Sequence, residues 1–537
     1  MSVKFNPLEY PFPSKRNVVY GKKGMVCTSQ PLAAQAGLDI LKKGGNAIDA
    51  AVATAIAMTV LEPTGNGIGG DAFALIWTDG ELKGLNASGP APEAIVPDEI
   101  KEKYGDTMPA RGWVPVTVPG CVSAWAEMSR KYGKLPFEDL FEAAIDYAEN
   151  GYPVAPTTAI LWERAFTDFT KIFKDDYFKH WFETFTPEGK APVAGEIVYL
   201  KDHAATLKEI AETKAESFYR GALADKIDAF SRETGGYLRK SDLAAFYPEW
   251  VKPIATDYKG YTVYEIPPNG HGITALMALN IFENYAKADN LNLESYHHQI
   301  EAMKLAFVDT QNYVTDPRFM SVTSEQLLSK KYAKQRFDLI QEKALTPKVG
   351  DPTAAGTIYL CTADSEGNMV SFIQSNYMGF GSGLVVPGTG IGLHNRGNNF
   401  SLNPEKDNYI APKKKPYHTI IPAFLAKGDK PVGPFGVMGG FMQPQGHFQV
   451  VVNTVDLHMN PQQALDAPRW QWVGGKKVEV ERDFPYAITE GLARNGHQIS
   501  VVTDHISMGR GQIIWVNDDG VLVGATEKRA DGAIAAW

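Results

Sequence analysis

Residues 354–375 constrain this chain more than any other stretch. Ala354-Ala355-Gly356 is a run of small residues, after which Thr357-Ile358-Tyr359-Leu360-Cys361-Thr362 opens an apolar, β-branched segment. The segment turns at Asp364-Ser365-Glu366-Gly367-Asn368 and resumes as Met369-Val370-Ser371-Phe372-Ile373-Gln374-Ser375. Gly and Asn tolerate positive φ, so Gly367-Asn368 between two such runs predicts a β-hairpin. A threonine that opens a strand is ordinary, because β-branched side chains suit strands. The residues before it permit a sharper reading. Scission of the Gly356–Thr357 bond would create a chain end whose hydroxyl is a nucleophile and whose own α-amine is a base. An α-amine titrates at about 7.7–8.0, so it can take up a proton near neutral pH without special tuning. Gly356 also permits the backbone conformation that attack on the preceding carbonyl requires.

The remaining punctuation predicts alternating helices and strands. Ser29 is a candidate N-cap for a helix from Pro31 to Lys43, stopped by Gly44-Gly45. Asn46 would cap a second helix that ends before Pro63. This helix is the most apolar of the chain, but it carries Asp49 and Thr54 and is too short to span a bilayer, so it reads as a core helix. Ala72–Trp77 reads as a strand that turns at Asp79-Gly80 into Leu82–Asn86. Helical periodicity marks 121–150, 205–235, 272–286 and 295–313, and further helices are expected around 444–457 and 485–495. Helices flanking packed antiparallel sheets give an α/β (α+β) layered architecture.

Composition narrows the function classes. The 537 residues suggest roughly three or four domains by length alone. No Gly/Ser linker, low-complexity tract or fixed-period repeat marks a boundary, so a single large unit is expected. A net charge of −9 and the absence of a basic stripe with interleaved aromatics argue against nucleic acid as a partner. Lys413-Lys414-Lys415 reads as a solvated loop. Cys27, Cys121 and Cys361 are too few and too scattered for a disulfide framework or a zinc site. The eleven histidines form no metal-spacing cluster, and His297-His298 is expected to face solvent. No metal and no cofactor is expected. Met1–Pro7 contains no apolar h-region, which together with the odd cysteine count points to the cytoplasm.

Gly65-Asn66-Gly67-Ile68-Gly69-Gly70 fits the G-x-G-x-x-G pattern, but a helix precedes it and a strand follows. That order is the reverse of a dinucleotide site, so the motif reads as a tight turn.

Motifs along nearly the whole chain resemble the γ-glutamyltranspeptidase (glutathione hydrolase) family of self-processing N-terminal-nucleophile hydrolases. They include Pro31–Gly37, Gly44–Val52, Glu62-Pro63 with Gly67–Gly70, Val118-Pro119-Gly120, Asp242-Leu243 and Pro267–Gly270. Glu301–Lys304, Thr357 itself, Gly379–Gly383, Asn395–Ser401 and Asp466–Arg469 continue the series. The resemblance sharpens the fold to a four-layer αββα sandwich. It implies a precursor cut at Gly356–Thr357 into a large subunit, 1–356, and a small subunit, 357–537, which together form one structural domain. A homodimer of such heterodimers stays open. Many family members are secreted or membrane-anchored, which this N-terminus does not suggest.

The same resemblance assigns candidate roles. Thr357 would be the nucleophile. Ser375 matches the hydroxyl residue that bonds it, although a pleat-facing serine reads equally well. Gly439 and Gly440 match the oxyanion-hole glycines, where backbone N–H groups need an uncrowded approach; a plain turn is the alternative. In the acyl pocket the chain departs from the family pattern. Ser88 stands where an arginine normally grips the α-carboxylate, and Asn399 where an acid holds the α-ammonium. His418-Thr419 replaces a serine pair, and Arg396 replaces a glutamine, with Tyr377 beside them. Loss of a bidentate arginine is not conservative. These substitutions point toward the cephalosporin-acylase/oxamate-amidohydrolase-like branch and away from strict γ-glutamyl specificity, glutathione remaining a competing substrate. Arg396 would recognise a simple carboxylate or, equally, form a structural ion pair. Residues 403–415 read as a lid or as an ordinary surface loop. An unprocessed homologue acting as a binding protein is the rival from another class.

Overall fold

The computed structural model describes residues 16–287, 291–347 and 356–537. Two seven-stranded antiparallel sheets lie face to face. The first runs, in spatial order, Ala533–Ala536, Gly24–Thr28, Gly356–Asp364, Met369–Tyr377, Asp71–Thr78, Glu81–Ala87 and Glu249–Val251. The expected hairpin therefore occupies the middle of this sheet, with Asp71–Thr78 paired to its return strand. The second sheet runs Val19–Gly21, Leu522–Thr526, Arg510–Val516, Lys430–Met438, Ala423–Lys427, Tyr261–Glu265 and Ile254–Tyr258.

Three apolar layers hold the fold together. Phe73, Tyr359, Cys361 and Ile373 of the first sheet meet Phe424, Met438 and Ile514 of the second. Helices Pro31–Lys43 and Ala47–Leu61 cover the outer face of the first sheet. Helices Gly272–Phe282, Leu293–Tyr313 and Met442–Val455 cover that of the second. This is the four-layer αββα sandwich.

Local chemistry explains the elements that position the centre. Asn46 accepts the N–H groups of Ile48 and Asp49, and Asp49 returns the bond to Asn46, forming a capping box. Every residue of the helix it starts is buried, as befits a core helix. Gly37 is required where the two helices cross, because a Cβ there would lie 2.2 Å from Thr54 Oγ1. The first helix differs from expectation at its cap. Gln30, not Ser29, accepts the Ala33 N–H, because the Ser29 hydroxyl is already given to Glu62 at 2.6 Å. The 121–150 stretch divides into Cys121–Tyr132 and Glu142–Asn150, broken where Gly133 and Pro136 interrupt the helical bond pattern.

Burial corrects two readings of polar runs. Lys414 and Lys415 are buried, Lys414 donating to the Tyr409 carbonyl at 2.8 Å. His297 is buried as well, because its helix packs that face inward. The three cysteines are free and buried. Among the described residues no helix is long and apolar enough to cross a membrane.

Candidate active site

Thr357 enters the first sheet at an irregularity. Gly356 pairs with Tyr377 and Ile358 with Gln374, so two residue steps on one strand face three on the other. This bulge sets Thr357 against the extra residue of the return strand and re-aims its side chain. Thr357 Oγ1 lies 3.0 Å from Ser375 Oγ, and both residues are fully buried. Ser375 Oγ accepts the Tyr377 N–H at 2.7 Å. With that lone pair occupied, the serine O–H can be directed to Thr357 Oγ1. Tyr377 holds φ at +72°, in the left-handed region, as the bulge closes.

The glycine turn before Asp71 forms the adjoining wall. A Cβ at Gly65 would stand 3.3 Å from the Thr357 carbonyl oxygen, and one at Gly70 would stand 2.7 Å from the Ser375 carbonyl oxygen. Asn376 N–H donates to the Gly65 carbonyl at 3.0 Å. The motif's glycines are therefore needed for close backbone approach to the strands carrying Thr357 and Ser375.

Gly439 and Gly440 follow the strand Lys430–Met438, with φ of +139° and +58°. Their carbonyls accept Met442 and Gln443 N–H at the start of the next helix. The strand packs directly on that of Thr357, where a Cβ at Gly436 would fall 2.5 Å from the Tyr359 ring.

The acyl-pocket candidates assemble around Asp71, a residue that the sequence did not single out. Asp71 lies opposite Ser375 in the sheet. Its Oδ2 accepts Arg396 Nε at 2.8 Å and His418 Nε2 at 2.8 Å, and its Oδ1 accepts Arg396 Nη2 at 3.2 Å. Arg396 Nη1 donates to Thr419 Oγ1 at 2.6 Å, and the guanidinium carbon stands 4.6 Å from the Tyr377 ring centre. Arg396 therefore forms the ion pair weighed above, while two of its five N–H groups are outside these bonds. Burial would raise the Asp71 pKa, but the Arg396 guanidinium, with the hydrogen bond from His418 Nε2, holds it well below the usual carboxylate range. Burial, reinforced by Arg396, pushes His418 down to about 3, so its imidazole is neutral. Its Nδ1 accepts the Ile420 N–H, which leaves the proton on Nε2 facing Asp71. His394 is also depressed by burial, although Asp71 opposes the shift. It is oriented by the Thr117 carbonyl, 3.0 Å from its Nε2. Asp71 and Arg396 thus cancel, and the cluster is electrically neutral.

Ser88 is buried nearby, giving its hydroxyl to Asn86 Oδ1 at 2.7 Å and lying 3.2 Å from Asn269 Nδ2. It brings no positive charge. Asn399 is half-buried, and its Nδ2 has no partner among the described residues. The loop after it is stitched down rather than loose. Asn408 Nδ2 donates to the Asn399 carbonyl, and Phe400, Leu402 and Ile410 share an apolar cluster with Met108 and Val114.

Among the described residues, the one group with metal-ligand spacing is His297, Glu301 and His497, whose ligand atoms lie within 4.8 Å of one another. Proton bookkeeping explains it without an ion. His297 Nε2 donates to the Gln341 carbonyl at 2.7 Å, so its Nδ1 accepts from His497 Nε2 at 2.8 Å. His497 Nδ1 then accepts from Lys304 Nζ at 3.3 Å, and that ammonium pairs with Glu301 Oε1 at 2.7 Å. The donor set fits a directional hydrogen-bond chain closed by an internal cation.

The Gamma-glutamyltranspeptidase family matches residues 33–537. The chain belongs to this family. It is 39% identical to the glutathione hydrolase-like YwrD proenzyme of Bacillus subtilis, over 96% of this chain and 98% of the relative. It is 33% identical to the oxamate amidohydrolase proenzyme of Klebsiella pneumoniae, at the same coverages. Among solved structures, cephalosporin acylase from Bacillus halodurans superposes with a TM-score of 0.97 at 60% identity, covering 100% of this chain and 99% of that one. The chain is thus a γ-glutamyltranspeptidase-family enzyme, an amide hydrolase or acyltransferase of the N-terminal-nucleophile type.

Proposed function

We propose that the chain is a self-processing acylase whose nucleophile is Thr357. The contact of Thr357 Oγ1 with Ser375 Oγ at the strand bulge carries this reading. In the precursor, Thr357 Oγ1 attacks the Gly356 carbonyl carbon. The Gly356–Thr357 C–N bond breaks, its nitrogen gains the proton, and water hydrolyses the resulting ester. The product is a large subunit ending at Gly356 and a small one beginning at Thr357. In turnover, the freed α-amine takes the Oγ1 proton as the hydroxyl attacks a substrate amide and passes it to the leaving amine. Gly439 and Gly440 N–H groups would hold the oxyanion. Water then releases the acid, or an amine takes the acyl group.

The acyl group is a small one without an ammonium, simple diacid half-amides among them. Ser88 supplies no charge, and the Asp71 carboxylate is already engaged by Arg396 and His418. The likeness to a cephalosporin acylase and an oxamate amidohydrolase supports this choice. A second reading, γ-glutamyl hydrolysis with glutathione as substrate, is favoured by the relative named glutathione hydrolase-like. Comparison of kcat/KM for glutaryl and γ-glutamyl p-nitroanilides decides between them. Each lost charge-assisted contact costs about 1.5–3 kcal/mol, roughly ten- to a hundredfold, so the glutaryl compound should be the better substrate. A γ-glutamyl preference of tenfold or more supports the second reading.

A further inference from the structure

We propose that Asp71 is the residue that sets the charge selectivity of the acyl pocket. This inference rests on the acylase reading above and specifies its substrate class. By neutralising Arg396, Asp71 keeps the pocket from favouring an acyl carboxylate over its uncharged amide, while its own carboxylate, engaged by Arg396 and His418, offers no counter-charge to an ammonium.

The geometry supports it from three sides. Asp71 faces Ser375 across the sheet, and Ser375 in turn contacts Thr357, so the carboxylate sits one residue pair away from the nucleophile. Asp71 takes two of the Arg396 donors, Nε and Nη2, and thereby fixes the guanidinium over Tyr377, the residue that closes the bulge. Thr419 takes a third donor. Arg396 is fully buried, and an unbalanced guanidinium in such a place demands an anion. Asp71 is that anion in the protein as it stands. Without its charge, the demand falls on whatever occupies the pocket, and a substrate carboxylate meets it.

The neighbouring histidines do not take over this role. His418 gives its Nε2 proton to Asp71 and accepts the Ile420 N–H on Nδ1, while His394 is occupied by Thr117 and the Arg396 backbone. Each imidazole is satisfied as the neutral form, so Asp71 and Arg396 are the two fixed charges of the cluster.

The test uses two acyl anilides of the same shape and different charge, glutaryl and glutaramoyl p-nitroanilide. Three proteins are compared: wild type, Asp71→Asn and the double variant Asp71→Asn/Arg396→Gln. Wild type should hydrolyse the two compounds within about tenfold of each other. Asp71→Asn should raise the glutaryl-to-glutaramoyl ratio of kcat/KM by about tenfold or more, the size of one charge-assisted contact. The double variant should return the ratio to the wild-type range. A matured Asp71→Asn protein with an unmoved ratio overturns the inference while leaving the acylase reading intact. If Asp71→Asn fails to mature, recovery of maturation in the double variant supports charge balance as the role of Asp71. Failure of both variants to mature shows that its hydrogen bonds matter instead and overturns the inference. Wild-type protein that neither cuts itself nor hydrolyses either compound overturns the acylase reading and this one with it.

Discussion

Removing the Ser375 hydroxyl should damage self-cleavage and turnover together. In the folded chain that oxygen accepts the Tyr377 N–H at 2.7 Å and lies 3.0 Å from Thr357 Oγ1. Ser375→Ala deletes both contacts at a fully buried position. Loss of the acceptor for a buried N–H costs about 1–3 kcal/mol, which weakens the bulge that aims Thr357. The bond to Thr357 Oγ1 gains strength as charge develops on that oxygen, and hydrogen bonds to charged groups contribute about 1.5–3 kcal/mol. Each 1.36 kcal/mol is a factor of ten in rate, so both steps should slow by roughly ten- to a hundredfold from this contact alone. The rate of precursor disappearance on denaturing gels measures the first step, and kcat on a glutaryl anilide after complete maturation measures the second. Ser375→Thr keeps the hydroxyl and should retain more of both rates. A Ser375→Ala precursor that matures at the wild-type rate would refute the reasoning, because the nucleophile would then need no hydroxyl partner.

Other substitutions probe separate parts of the account. Thr357→Ala should remain uncut and inactive on long incubation, whereas Thr357→Ser should process slowly, since serine keeps the hydroxyl but loses the methyl that fixes its rotamer; intact mass distinguishes the two. Gly70→Ala would place a Cβ 2.7 Å from the Ser375 carbonyl oxygen. It should destabilise the protein by about 1–3 kcal/mol and slow maturation, both readable by denaturant melts and gels. His203 is buried beside Phe185, and burial depresses its pKa to about 4. Between the unfolded value of about 6.5 and that value the unfolded chain binds a proton that the folded chain refuses, so its contribution to stability falls as pH drops. The gap between wild type and His203→Gln should therefore shift against wild type by about 1.6 kcal/mol in all between pH 6.5 and 5, as read from denaturant melts. An unchanged gap would contradict the depressed pKa.

Local signals carried much of the fold. The capping residue Asn46, the Gly44 stop and the Gly367-Asn368 turn act on neighbours a few residues away, and the hairpin and the first two helices formed where they indicated. The glycine turn at 65–70 was legible as a turn because its order of helix and strand ruled out a nucleotide site. Asp71 was not legible. A lone acid opening a strand reads as a solvent-facing residue, and its partners Arg396 and His418 lie 325 and 347 positions along the chain. His297 misled for the same reason, since its buried partner His497 is 200 positions away. Ser29 illustrates a subtler limit. Its hydroxyl suits a cap, but a buried carboxylate outcompeted the helix for it, and Gln30 took the cap. Ala354 and Ala355, the small residues that drew attention to the junction, lie outside the described residues.

The central claim is that Thr357 becomes a chain terminus. Wild-type protein, purified and incubated near neutral pH, should resolve into two pieces, of 356 residues and of the remaining 181 in the 537-residue chain. Edman sequencing of the smaller piece should begin at Thr357-Ile358-Tyr359-Leu360. A chain that stays whole, or a small piece that begins at any other residue, would contradict the account.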